Sequence, residues 1–123
     1  MPAKLRDELG ERFTVTKGLD GCLAVYPEKE WEALEQRIRG LGNGEKARRV
    51  KRYYFANAFD AQLDAQGRIL IPANLREFAD LQKDVVVIGQ LDHAEIWDSE
   101  KWRVYNEAID AESVAADVED MDF

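Results

Sequence analysis

Asp64-Ala-Gln-Gly-Arg-Ile-Leu-Ile-Pro-Ala-Asn-Leu-Arg76 decides how the chain is read. Its first five residues have the chemistry of a tight turn. An aspartate at the first position can accept hydrogen bonds from the turn's own amides, and a glycine at the fourth tolerates positive φ. The spacing predicts a hairpin whose exit sets Arg68 beside the Asp64 carboxylate. Ala58-Phe-Asp-Ala-Gln-Leu63 leads into it, with Phe59, Ala61 and Leu63 alternating against Asp60 and Gln62, the pattern of a half-buried strand. A carboxylate so placed would pin the guanidinium before it meets a phosphate or a guanine edge. The same residues also fit a surface ion pair that merely stabilises a hairpin, and the pattern alone leaves both readings open.

Working outward, the end of this stretch has a double. Pro72-Ala-Asn-Leu-Arg-Glu repeats Pro2-Ala-Lys-Leu-Arg-Asp at a spacing of 70 residues. Phe13-Thr-Val-Thr-Lys-Gly-Leu-Asp20 answers Val85-Val-Val-Ile-Gly-Gln-Leu-Asp92, and Tyr26-Pro-Glu-Lys-Glu-Trp31 answers Trp97-Asp-Ser-Glu-Lys-Trp102. The register drifts by one or two residues in the loops, as a diverged duplication would.

Each unit reads as a short proline-led helix, a strand, a turn, a second strand and a longer helix. Pro2 and Pro72 suit a first helical turn. Phe13-Thr-Val-Thr and Val85-Val-Val-Ile are β-branched strand runs, followed after a turn by Leu23-Ala-Val-Tyr26 and Ala94-Glu-Ile-Trp97. Trp31, Leu34, Ile38 and Leu41 then keep helical spacing as one buried stripe, and Asp98 or Ser99 caps a helix carrying Trp102, Tyr105 and Ile109. The three tryptophans read as core anchors. Between the units, Gly40-Leu-Gly-Asn-Gly44 breaks the chain. Asn43 can cap a linker helix running from Glu45 to Phe55, with Ala47, Val50 and Tyr54 on one side.

The formal net charge of −8 is unevenly spread. Seven acids and no base lie from Glu107 onward, whereas Arg37 to Arg52 holds seven bases against Glu45 alone. A near-neutral body with a basic patch can hold DNA through a local field. The longest apolar run, Val85-Val-Val-Ile88, is far short of a membrane span, and the N-terminus has no apolar signal-peptide core. One cysteine, Cys22, and one histidine, His93, make a structural zinc site a poor fit and suit a reducing compartment; both read as packing or surface residues. With no nucleophile–base pair or phosphate loop, the chain is not expected to be an enzyme, and no cofactor, metal or small-molecule substrate is expected.

Asp64-Ala-Gln-Gly-Arg-Ile-Leu-Ile-Pro72 resembles the D-x-x-G-R-x-x-I-P signature of AbrB-like swapped-hairpin DNA-binding domains. The wider chain resembles the MraZ family of bacterial regulators, which carry two such domains in tandem. The matching stretches are Gly18 to Trp31, Ala47-Arg-Arg49 with Tyr54-Phe-Ala56, and Val87-Ile-Gly-Gln90 with Glu95-Ile-Trp-Asp98. Coverage runs from Met1 to about Ile109, leaving Ala111 to Phe123 without inheritance. The resemblance implies an α+β, β-rich fold of two swapped-hairpin repeats related by a pseudo-two-fold, with peripheral helices. The expected division is a first repeat over 1–28, a helical linker over 29–56, a second repeat over 57–100, and a C-terminal helix with an acidic, disordered tail over 101–123. It further implies a cytoplasmic, nucleoid-associated homo-oligomer, ring-like, binding double-stranded DNA at repeated boxes upstream of the division and cell-wall gene cluster. Asp64 carries over as positioner, Gly67 as turn former and Arg68 as DNA contact, while Arg6 and Arg76 brace the repeats.

One departure stands out. At the 70-residue offset, the first unit's counterparts of Asp64 and Arg68 fall before Met1, which aligns with Ile71. The expectation is a natural start further upstream, since loss of the first hairpin would leave the second hairpin unpaired, with poor folding or weak DNA binding. A scaffold that binds protein partners and no longer binds DNA is the alternative function. For Arg48 and Arg49, oligomer contacts are placed ahead of DNA contacts.

Overall fold

The computed structural model describes residues 12–122. Its strands form one antiparallel sheet: β1 (Arg12–Lys17), β2 (Leu23–Pro27), β3 (Phe59–Gln62), β4 (Val85–Gln90) and β5 (His93–Asp98), in the order β3-β1-β2-β5-β4. The helices among the described residues are α1 (Glu28–Arg39), α2 (Glu45–Phe55), α3 (Ala73–Phe78), α4 (Ser99–Glu107) and α5 (Ala111–Asp120). The class is α+β, as expected. No helix among the described residues is long and apolar enough to cross a membrane.

The register of the sheet carries the duplication. At its centre Leu23 faces Ile96, Ala24 faces Glu95 and Val25 faces Ala94. Leu23 and Ala94 stand 71 positions apart, as do Val25 and Ile96, so exchanging the halves leaves the pairing unchanged. The outer pairs agree: Phe13 faces Pro27 in one half, and Val85 faces Asp98 in the other. Phe13 and Val85 are 72 positions apart but Pro27 and Asp98 are 71, which puts the one-residue drift in the turns. The first turn spends Asp20 (φ 65) and Gly21 (φ 82) in the left-handed region, where the second needs only Leu91 (φ 46). Gly21 is the extra residue, and the Lys101 amine, donating to its carbonyl at 3.1 Å, fills the space a side chain there would need.

Alternation along the strands selects one face for a common core of Phe13, Val15, Leu23, Val25, Ala61, Ala94 and Ile96. Leu75 and Ala79 of the α3 region complete it, with Ile69, Ile71 and Phe78 packed around them. The opposite face of β1 and β2 is buried too. There the Thr16 hydroxyl donates to the Tyr54 carbonyl at 2.6 Å, and Trp31 stands between Tyr26 and Phe55 at ring distances of 5.7 and 4.9 Å. Two-sided burial explains why β1 and β2 read as continuous apolar and threonine runs rather than alternating ones.

Several expectations need correction. The hairpin of the second unit does not lack a partner: β3 pairs with β1, Arg12 facing Gln62 and Val15 facing Phe59. The strands with an unpaired outer edge among the described residues are β3, on the side away from β1, and β4. Ile69 to Ile71 form no strand, because Ile69 and Ile71 turn into the core instead of continuing the ladder. Pro72 is the N-cap of α3, one position ahead of its first turn, and Gly44 rather than Asn43 is the N-cap of α2. Leu41 falls beyond the end of α1 and is 55% exposed, so it leaves the buried stripe. Ile109 likewise lies past α4. Of the tryptophans, Trp97 is buried while Trp31 and Trp102 are half-buried. The acidic tail is helical, started by a capping box in which the Asp110 carboxylate accepts from the Ser113 amide at 2.7 Å. Pro2 and Arg6 lie outside the described residues.

Candidate nucleic-acid interface

The turn after β3 is closed by its own backbone. The Asp64 amide donates to the Arg68 carbonyl at 2.8 Å, and the Gly67 amide donates to the Asp64 carbonyl at 2.9 Å. Gly67 sits at φ 77, the left-handed conformation that its lack of a Cβ permits. One oxygen of the Asp64 carboxylate accepts from the amides of Gln66 (2.9 Å) and Arg68 (2.8 Å), and the other accepts from Arg68 Nε at 3.2 Å. The structure thus brings Asp64, Gly67 and Arg68 together in the turn that their spacing predicts.

A second hold on the guanidinium escaped the sequence reading. Arg68 Nη2 donates to Gln66 Oε1 at 3.4 Å. Gln66 occupies a variable position of the D-x-x-G-R pattern, and its only sequence signal is an amide two residues from the arginine. With Nε engaged by Asp64 and Nη2 touched on one side by Gln66, Nη1 carries no hydrogen bond among the described residues. The outer end of the fork, Nη1 with Nη2, is the pair that bidentate recognition uses. The Arg68 side chain is 74% exposed, so the ion pair adds little to folding stability and acts by orienting.

The Arg68 amide, the Gln66 amide and then the Arg68 charge hold the Asp64 carboxyl below its ordinary range. The lowered value fixes the sign: the turn's contribution is complete above an ordinary aspartate's range and is lost as pH falls through the lowered value. An amide-proton NMR titration should show Gln66 and Arg68 shifting together, with a midpoint below that of an unperturbed aspartate. A midpoint at the ordinary value would mean that the carboxylate is not held by these bonds.

Charge elsewhere restricts how a polyanion can approach. A cleft of about 570 Å³ beside β3 and α1 is lined by Glu28, Glu32, Glu35 and Asp60, with Arg12 as its one base, and repels phosphate. The basic α2 carries Lys46, Arg48, Arg49, Lys51 and Arg52, none of them in an ion pair among the described residues. Arg48 and Lys51 instead donate to the carbonyls of Asn43 and Gly42, at 2.7 and 2.9 Å.

Comparison with known proteins identifies the family. The family model described as "MraZ protein, putative antitoxin-like" matches residues 1–52 and 54–122, so the likeness extends through α5 rather than stopping near Ile109. A protein of Clostridium beijerinckii named transcriptional regulator MraZ is 50% identical over 123 residues, covering 98% of this chain and 87% of the relative. One of Heliobacterium modesticaldum with the same name is 50% identical over 125 residues, covering 99% and 87%. That of Symbiobacterium thermophilum is 54% identical over 108 residues, covering 87% and 78%. The chain belongs to the MraZ family, and is a transcriptional regulator rather than an enzyme.

Proposed function

We propose that this regulator binds double-stranded DNA sequence-specifically through the turn after β3, acting in the cytoplasm at the nucleoid on repeated boxes upstream of the division and cell-wall gene cluster. Arg68 reads a base edge, with a guanine O6/N7 pair as the fitting partner, while Asp64 positions the guanidinium and Gly67 forms the turn. The observation that carries this reading is a guanidinium oriented from behind by Asp64 and Gln66, with its outer fork in solvent. Orientation before contact lowers the entropy lost on binding. A single turn spans little DNA, so affinity comes from several copies presented together by a homo-oligomeric ring. The chain is organised accordingly: AbrB-like swapped-hairpin repeats over 1–28 and 57–100, a helical linker over 29–56, and a C-terminal helical segment over 101–123.

A mobility shift with the fragment upstream of that gene cluster, against a scrambled fragment and across salt, tests the proposal. The expected result is a shift that weakens with salt yet survives excess scrambled competitor. Absence of any shift at low salt would sink it and favour a scaffold for protein partners, to which the exposed α5 lends the supporting observation.

A further inference from the structure

Each described residue of α5 is exposed, yet the helix is amphipathic. Ala111, Val114, Ala115 and Val118 share one stripe by helical spacing, continued by Met121 at 79% exposure. Glu112, Asp117, Glu119 and Asp120 occupy the remaining surface. A helix of ten residues is too short to be stable alone in water, capping box included, and gains its stability from a surface that covers its stripe.

We propose that α5 docks on the basic surface of α2 in a second copy of this chain, head to tail, building the homo-oligomer. The inference rests on the proposed function only for the existence of that oligomer; it adds the surface. Charge selects the partner. Neither the four acids of α5 nor the five bases of α2 form an ion pair within the described residues, although other charges on the helices do. Arg103 on α4 binds Glu100 and Glu107 at 2.5 and 2.8 Å, and Arg39 reaches Glu35 at 3.9 Å. Two unpaired surfaces of opposite sign on one chain complement each other between copies. The apolar part matches as well. Leu41, exposed, adjoins the 42–43 loop that Arg48 and Lys51 hold, giving the valine stripe a hydrophobic seat among the bases. Contact between two different surfaces repeats from copy to copy and closes into a ring when the rotation allows.

The test is a charge exchange read by light scattering at low salt, without DNA. One variant carries Glu112→Lys, Asp117→Lys, Glu119→Lys and Asp120→Lys; the other carries Lys46→Glu, Arg48→Glu, Arg49→Glu and Arg52→Glu. The unaltered chain should show an assembled mass and each variant alone the monomer mass. An equimolar mixture should regain the assembled mass, because the reversed helix of one variant then meets the reversed patch of the other. A contact within one chain could not be restored by mixing. The proposal is overturned by a monomeric unaltered chain, by either variant keeping the assembled mass, or by a mixture of folded variants that stays monomeric. Should circular dichroism show either variant unfolded, the unaltered chain decides through salt. Its mass should fall between about 0.1 M and about 1 M, as the screening length drops from about 10 to about 3 Å. A mass that holds across that range overturns the proposal. Because DNA is absent throughout, failure of the charge exchange or of the salt response in an assembling chain leaves the Arg68 reading untouched. Loss of DNA binding in an assembling chain leaves this one untouched; only a monomeric unaltered chain removes the oligomer that both share.

Discussion

Arg68→Ala is expected to abolish specific DNA binding while leaving fold and assembled mass unchanged. The side chain is exposed and its partners, Asp64 and Gln66, lie within the same turn, so its removal opens no cavity and strands no buried charge. A good bidentate arginine–guanine contact is worth roughly 1–3 kcal/mol of discrimination. That is about 5- to 150-fold per contact, compounded when several copies bind one operator. A mobility shift should therefore show operator affinity falling by about two orders of magnitude or more, toward the level for scrambled DNA. Arg68→Lys sharpens the test: it keeps the charge and loses the fork, so salt-dependent non-specific binding should persist without discrimination. Operator binding retained by Arg68→Ala would remove the side chain from the mechanism.

The largest stability effect is expected at Leu75. It is 1% exposed and sits in the core between α3 and the sheet, packed with the strand residues of both halves. Leu75→Ala removes buried methyl groups and leaves a cavity, a change that costs about 2–5 kcal/mol. At roughly 4 °C per kcal/mol for a chain of this size, calorimetry should find Tm lowered by about 8–20 °C. Leu75→Met, close in volume, should cost under about 1.5 kcal/mol. Leu70→Ala is the internal comparison: five residues away and 80% exposed, it should change stability by no more than about 0.5 kcal/mol. Equal effects at 70 and 75 would mean that α3 does not seal the core.

The strands were legible because β-branched runs such as Phe13-Thr-Val-Thr and Val85-Val-Val-Ile have no competing helical period. The turn was legible because an aspartate's side-chain bonds and a glycine's positive φ are local facts, independent of tertiary structure. The features that escaped are mostly non-local. Nothing in Phe59 to Gln62 says that its partner is β1, about 45 residues earlier, rather than the residues just after the turn. Ile69 and Ile71 have strand chemistry and were drawn into the core by α3. The tail is different, for its signal was present: Asp110 and Ser113 stand at capping-box spacing before an apolar stripe. Acidic composition outweighed it.

The register of β2 against β5, with β3 reaching back to β1, means that neither half owns its apolar face. Peeling one half away would wet Val15, Val25 and Ile96 together, so there is no stable half-molecule for unfolding to pause at. The central seam joins positions as far as 73 apart in the chain, and such long loops must close before their contacts repay them. A duplicated chain has thereby become one cooperative body, slow to form and indivisible once formed.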